Sequence, residues 1–153
     1  MTSTPALDFS VDTCTIGRAM AILGEKWTLV VLREIFNGIR RFDDMRIRTG
    51  IPRQVLANRL ASLVEQGVLR REPYREPGAR ERHEYRLTDK GRDFWGVLAA
   101  MWRWGSDWMW EDDPAGAPVV LKDRATGRVV RPVVVDAETG EPLDVRTLRV
   151  GRA

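Results

Sequence analysis

The feature that most narrows what this chain can fold into is residues 41–88, RFDDMRIRTGIPRQVLANRLASLVEQGVLRREPYREPGARERHEYRLT. Two short helical patterns meet there at Thr49-Gly50-Ile51-Pro52. Gly50 permits the positive backbone angle of a tight turn, and Pro52 suits the first position of a new helix, where a missing N–H costs nothing. In the second pattern Leu56, Leu60 and Leu63 form one apolar stripe, while Gln54, Asn58, Ala61 and Ser62 project the opposite way. Gly67 ends that helix. Residues 68–73 then alternate like a strand, Pro77-Gly78 break the chain just before Arg80 and Arg82, and residues 83–87 resume as strand. The order helix, turn, helix, strand, wing loop, strand is suited to reading double-stranded DNA.

A chain of 153 residues is long enough for one ordinary domain with a small appendage and a real core. Its 43% hydrophobic and 31% charged residues fit a soluble globular protein. No apolar run approaches the roughly 18 residues of a membrane helix. The opening MTSTPALDFSVDT lacks the basic-then-apolar pattern of a signal peptide, and residues 1–12 read as a loose arm. A cytoplasmic, nucleoid-associated location is expected. One cysteine and one histidine exclude an internal disulfide framework and a Cys- or His-rich metal site. With no Gly-rich phosphate loop either, neither an enzyme activity nor a cofactor is expected.

The net charge of +3 is unevenly spread. Residues 33–92 hold 15 Arg/Lys against 9 Asp/Glu, and the remainder holds 10 against 13. An Arg-rich genome explains the choice of Arg over Lys, but not this asymmetry. The basic excess falls on the helix-turn-helix stretch, as a phosphate binder requires.

On the N-terminal side, Ile16, Ala19, Met20 and Leu23 fall at i, i+3, i+4 and i+7, a short amphipathic helix stopped near Gly24. Residues 27–36 are apolar on most sides and read as the buried central helix, ended by Asn37-Gly38. Ile39-Arg40-Arg41 reads as a short edge strand, and Phe42, Met45 and Ile47 as the apolar side of the helix after it. Thr88 caps a long helix running to about Trp110, with five of the six tryptophans. Its stripe of Phe94, Trp95, Leu98, Met101, Trp102, Gly105, Trp108 and Met109, with Trp104 on the far side, is too apolar for a monomer's surface. A homodimer is therefore expected, its interface drawn from Ile16, Met20, Trp95, Leu98, Trp102, Trp104 and Trp108. Residues 1–110 are assigned to a DNA-binding and dimerisation domain, 111–116 to a linker and 117–153 to a small β appendage. That Val-rich tail reads as short strands turned at Ala125-Thr126-Gly127 and Glu138-Thr139-Gly140.

Arg, Gln and Asn are the side chains that pair bidentately with base edges in the major groove, which points to Arg53, Gln54 and Asn58. Arg59, Arg40 and Arg41 are candidates for phosphate contacts, which set register without reading sequence. Arg80 and Arg82 in the wing loop suit the backbone or a narrow minor groove. Cys14 sits at a helix start, where the dipole favours the reactive thiolate, and is a candidate redox sensor; the competing reading is a small structural residue. A second functional class is a winged-helix module that docks on proteins and does not read DNA. It requires apolar anchors on the outward face of the helix at 52–66, and that face lacks them.

Five motifs in order and spacing carry a resemblance: Cys14 before the first helix, LGEKWTLVVLREI, RRFDDM, GIPRQVLANRLASLVEQGVL and EYRLTDKG. Together they resemble the HxlR-type winged helix-turn-helix regulators, relatives of the MarR group, over the first 110 residues. The resemblance implies a mainly α fold with a small β wing. It also implies a homodimer that binds an operator and regulates nearby genes. The function expected is a homodimeric repressor on a pseudo-palindromic operator, answering to a small-molecule effector or to oxidants and electrophiles. By the same resemblance the helix at 52–66 enters the major groove, the loop at 75–82 is the wing, and the cysteine matching Cys14 senses oxidants in some members. Thr15 departs from the proline often found after that cysteine. The tail resembles a zinc-ribbon-like appendage with its knuckle cysteines replaced by Thr126, Asp136 and Thr139, so no metal is expected there.

Overall fold

The computed structural model describes residue 10 and residues 12–150; most of the expected N-terminal arm lies outside them. The chain divides into two compact units, one reaching to Trp95 and the other starting at Gly96.

The first unit is built on α2 (Lys26–Phe36), which buries Thr28, Val31, Leu32, Glu34 and Ile35. Before it lies α1 (Thr15–Leu23), which ends at Gly24 and buries nothing, so Ile16 is 73% exposed. The helix-turn-helix follows as α3 (Phe42–Thr49) and α4 (Arg53–Glu65). Asp43 and Asp44 in the first turn of α3, and Arg46 and Arg48 in its last, match the helix dipole. Gly50 closes α3 in the left-handed region at φ +67°, and Thr49 Oγ1 donates to the Met45 carbonyl. Pro52 precedes the helix as its cap residue, one place earlier than the sequence reading put it. Its extended backbone matches its ring-fixed φ, while Arg53 opens the helix.

The apolar stripe of α4 folds as its spacing dictates. Leu56, Leu60 and Leu63 are buried and share one core with Leu32, Met45, Ile51 and Leu69. Only Met45 of α3 reaches that core; Ile47 points to solvent at 74% exposure, against expectation, because a helix of eight residues turns a single narrow face inward.

Strands β1 (Leu69–Tyr74) and β2 (Arg82–Leu87) pair antiparallel, from Leu69 opposite Leu87 to Tyr74 opposite Arg82. The edge strand expected at residues 39–41 is reduced to one bridge, Arg41 to Glu84, with the Tyr85 N–H donating to the Arg40 carbonyl at 2.9 Å. Beyond the wing, Thr88 caps α5 (Asp89–Asp93), its hydroxyl accepting from the Gly91 N–H. The long helix expected from here to Trp110 is two helices. The Phe94 N–H turns back to the Gly91 carbonyl, a tighter bond than an α-helix makes, and α6 (Trp95–Trp108) begins afresh. The Trp95 ring packs on Phe36 of α2, centroids 5.0 Å apart.

In the second unit the tail lies along α6. The Trp102 indole N–H donates to the Val119 carbonyl at 3.3 Å and the Arg103 guanidinium to the Pro132 carbonyl at 3.0 Å. The expected short strands reduce to two single bridges, Lys122 to Val129 and Val135 to Pro142. Each closes a turn of the same design, Asp-x-x-Thr-Gly. The Asp123 carboxylate accepts from the Ala125 and Thr126 N–H groups and from the Thr126 hydroxyl, and Asp136 accepts from the Glu138 and Thr139 N–H groups. Gly127 and Gly140 supply the left-handed residue after each threonine. A 3-10 turn, Val145–Thr147, follows. Trp104 does not stand apart on α6. Val97, Met101, Trp104 and Trp108, spaced 4, 3 and 4 residues, form its exposed apolar stripe, because the tail occupies the side of Trp102 and Arg103.

Gly91 is fixed by a close approach. A Cβ there would sit 2.2 Å from the Val68 carbonyl oxygen and 3.0 Å from Leu87 Cδ2. Gly91→Ala is expected to cost on the order of 1–3 kcal/mol. Gly96→Ala meets open space in a helix and should gain roughly 0.5–1 kcal/mol. Denaturant midpoints of the two variants should move in opposite directions.

Candidate nucleic-acid interface

The outward face of α4 presents Arg53, Gln54 and Asn58 to solvent, with Arg59 half-buried beside them. Gln54 Nε2 donates to Asn58 Oδ1 at 2.9 Å, one helical turn apart, so the two amides form one unit. That bond leaves a free carbonyl oxygen on Gln54 and free N–H groups on Asn58. Reversing both amides leaves the same inventory, one acceptor group and one donor group. Adenine alone among the bases carries an acceptor and a donor side by side on its major-groove edge. The Arg53 guanidinium lies 5.2 Å from the centre of the Phe42 ring, which steadies it across the turn.

The two arginines before α3 are used differently. Arg40 is exposed and contributes only its carbonyl to the sheet. Arg41 is spent on the root of the wing. Its guanidinium donates to Glu76 Oε1 at 2.6 Å and lies 4.3 Å from the centre of the Tyr74 ring. The Glu76 hydrogen bond raises its pKa further above the usual arginine value. In the wing, Gly78 takes a φ of +77° and Arg75 Nε donates to the Ala79 carbonyl, which closes the loop. Arg80 projects from it, and Arg82 stands 4.0 Å from Asp43. Among the described residues, Arg40, Arg53, Arg59 and Arg80 make no ion pair.

Other arginines of the stretch are neutralised on the sheet. Arg70 and Arg86 both reach Glu72 at 2.7 Å, and Arg86 also reaches Glu84. The Arg70 hydrogen bond, ahead of the charge of Arg86, holds the Glu72 carboxyl below its usual range. Such exposed pairs contribute about 0–1 kcal/mol each, so they remove arginines from the interface more than they stabilise the fold.

The sequence reading missed a second cluster behind the interface. Glu34 is 3% exposed, and its two oxygens accept from Arg33 of α2 and from Arg48 of α3, both at 2.7 Å. Burial pushes the Glu34 carboxyl up, but the Arg48 and Arg33 hydrogen bonds outweigh it and hold the group below its ordinary value. The available signal was an acid inside an otherwise apolar helix, which needs a cationic partner to be buried. Asp123, equivalent to Asp136 in the repeated turn, was missed as well; the 13-residue repeat of Asp-x-x-Thr-Gly marks it. The turn carboxylates are occupied by N–H and hydroxyl donors, and do not fit the thiolate set of a zinc knuckle. Cys14 is half-buried at the cap position of α1.

Comparison with known proteins bears on this arrangement directly. The model of the HxlR-like helix-turn-helix matches residues 22–113. The chain belongs to the HxlR-like helix-turn-helix family. An uncharacterized HTH-type transcriptional regulator of Mycobacterium tuberculosis is 39% identical over 134 residues, 88% of this chain and 82% of that one. One from Synechocystis is 38% identical over 63% of this chain and 70% of its own length. The crystal structure of PA1607, assigned as a candidate transcription factor, superposes with a TM-score of 0.79 at 35% identity, covering 92% of this chain and 96% of that one. The oxidized form of the redox regulator HypR superposes at 0.54 with 26% identity, over 61% of this chain and 96% of its own. This HxlR-like protein is therefore a DNA-binding transcription regulator of winged-helix fold, in a family of regulators and not of enzymes. No helix of the described residues is long and apolar enough to cross a membrane.

Glu34 gives the interface a measurable acid dependence. A carboxyl whose folded pKa is depressed contributes stability above its unfolded pKa and loses it as pH falls through the folded value. Glu34→Gln should cost roughly 1–3 kcal/mol at pH 7. The gap to wild type should shrink below about pH 4. Denaturation curves at neutral and acid pH check both statements.

Proposed function

We propose that this HxlR-like regulator is a homodimeric repressor that reads a pseudo-palindromic operator, one half-site per recognition helix. The observation that carries the reading is the outward face of α4, with Arg53 braced on Phe42 and the bridged Gln54–Asn58 pair free of apolar anchors. Arg53, Gln54 and Asn58 face base edges in this reading. Arg40, Arg59, Arg80 and Arg82 contact phosphates, with Arg41 supporting the wing that carries the last two. The exposed Ile16 and Met20 of α1 and the exposed stripe of α6, with Trp104 and Trp108 as its largest side chains, support the dimer. Trp95, packed on Phe36, and Trp102, bonded to the tail, contribute their remaining surface, with Leu98 half-buried between them in sequence. The domain reading keeps residues 1–110 as the DNA-binding and dimerising part, 111–116 as a linker and 117–153 as the appendage. In this reading a small-molecule effector binds in the tryptophan-lined space between the dimer helices.

Asn58→Ala should relax base preference at one position per half-site, at a cost on the order of 1–3 kcal/mol for the specific operator. Arg80→Ala should weaken all sequences alike and flatten the salt dependence. Titrations of operator and scrambled duplexes at two salt concentrations separate the two. Equal losses on both duplexes for both variants would overturn the division into base reader and phosphate contact.

Cys14 is proposed as the oxidant-responsive group. Its cap position on α1, next to the exposed Ile16, places any modification beside the proposed dimer surface, and the likeness to a redox regulator supports the reading. Diamide or peroxide should lower operator binding by wild type and leave Cys14→Ser unaffected. An equal loss in both proteins would assign Cys14 a structural role.

A further inference from the structure

The tail carries two turns of one backbone design and opposite charge. The first holds Lys122, Arg124, Arg128 and Arg131 against the single acid Asp123. The second holds Asp136, Glu138, Glu141 and Asp144 with no base between them. Within the tail, the only ion pair among the described residues is Arg146 to Asp144, so the two turns do not neutralise each other. Around them Val119, Val120, Val129, Val130, Val133 and Val135 are all 46% or more exposed except Val130 at 44%. The Asp123 and Asp136 carboxylates are used in closing the turns, which leaves the side chains of Arg124, Arg128, Glu138 and Glu141 outside the turn hydrogen bonds. Two patches of opposite sign thus stand beside an exposed valine surface.

We propose that the tail is a self-pairing surface, occupied by the tail of a second copy of this chain. The basic turn of one protomer seats against the acidic turn of its partner, and the reverse contact completes the pair. A two-fold interface demands this self-complementarity: where one patch meets the other, the symmetry repeats the contact. The charge pattern disfavours other occupants. A DNA-facing surface would not carry an acidic turn beside its basic one, because phosphates repel it. An acidic protein partner would cover the first turn and leave the second exposed. Pairing between copies covers both turns and the valines together. It adds to the helix-based dimer of the proposed function and does not require it.

The test uses full-length protein. One variant, Arg124→Glu with Arg128→Glu, makes both turns acidic; another, Glu138→Arg with Glu141→Arg, makes both basic, because the Asp144 charge is already paired with Arg146. None of these four side chains makes a turn hydrogen bond, and circular dichroism verifies the fold. Sedimentation should show self-association weakened about tenfold or more in each variant at low salt. Mixing the two variants should restore association, and so should combining all four substitutions in one chain. Association equal to wild type in the single-turn variants would overturn the proposal, as would failure of the mixture to recover. If the acidic variant lost affinity for non-specific DNA while associating normally, the basic turn would face DNA instead. Operator specificity, read on the same samples, keeps this outcome separate from the base-reading assignment: loss of tail pairing leaves the Asn58-dependent preference in place.

Discussion

The helix-turn-helix depends on one carboxylate. Glu34 lies in the buried face of α2, and Arg48 at the end of α3 reaches it at 2.7 Å. The apolar contacts of Leu56, Leu60 and Leu63 hold α4 on the core but tolerate sliding, since burial is not directional. A charge-assisted hydrogen bond is directional and short-ranged. It fixes α3, and through the Gly50 turn it fixes the angle at which α4 leaves the body. Both guanidinia are about half exposed, so the arrangement avoids enclosing a cation and shields only the carboxylate. That lowers the desolvation cost that makes fully buried ion pairs poor stabilisers.

A second constraint is the allotment of arginines. The sequence stretch is rich in them, yet Arg70 and Arg86 stitch the two strands and Arg41 braces the wing. Arg53 and Arg59 on α4, Arg40 ahead of α3 and Arg80 in the wing stay outside any ion pair among the described residues, as do Arg46, Arg71 and Arg75. The structural arginines let a two-stranded sheet with few buried residues keep its wing loop in a defined place. The others are then presented from fixed backbone. Net charge alone does not distinguish these two groups.

Much of the fold was legible because its signals are local. The Leu56, Leu60, Leu63 period, the glycine at residue 50 and the cap at Thr88 each act within a few residues and were read correctly. The misreadings come from non-local or competing causes. Phe94 continues the apolar pattern, so nothing in the period announces the break before Trp95. The valines of the tail have high strand propensity, but each arm is held by a single bridge between Asp-capped turns, which leaves no room for a ladder. Arg41 pairs with a glutamate 35 residues away, a partnership only the folded wing creates. For the recognition face, residue types and helical spacing identified Gln54 and Asn58 as neighbours, but not that they bond to each other.

That bond has a thermodynamic consequence. Two free amide side chains on a helix surface sample several rotamers, and ordering each at an interface costs roughly 0.5–1.5 kcal/mol. Gln54 and Asn58 have already restricted one another before any contact forms. Much of the entropy loss that ordinarily opposes recognition therefore belongs to folding and not to association. A preformed reader of this kind has little search left to do at its site. Differences between one duplex and another then appear mainly in how long the complex survives and less in how fast it forms.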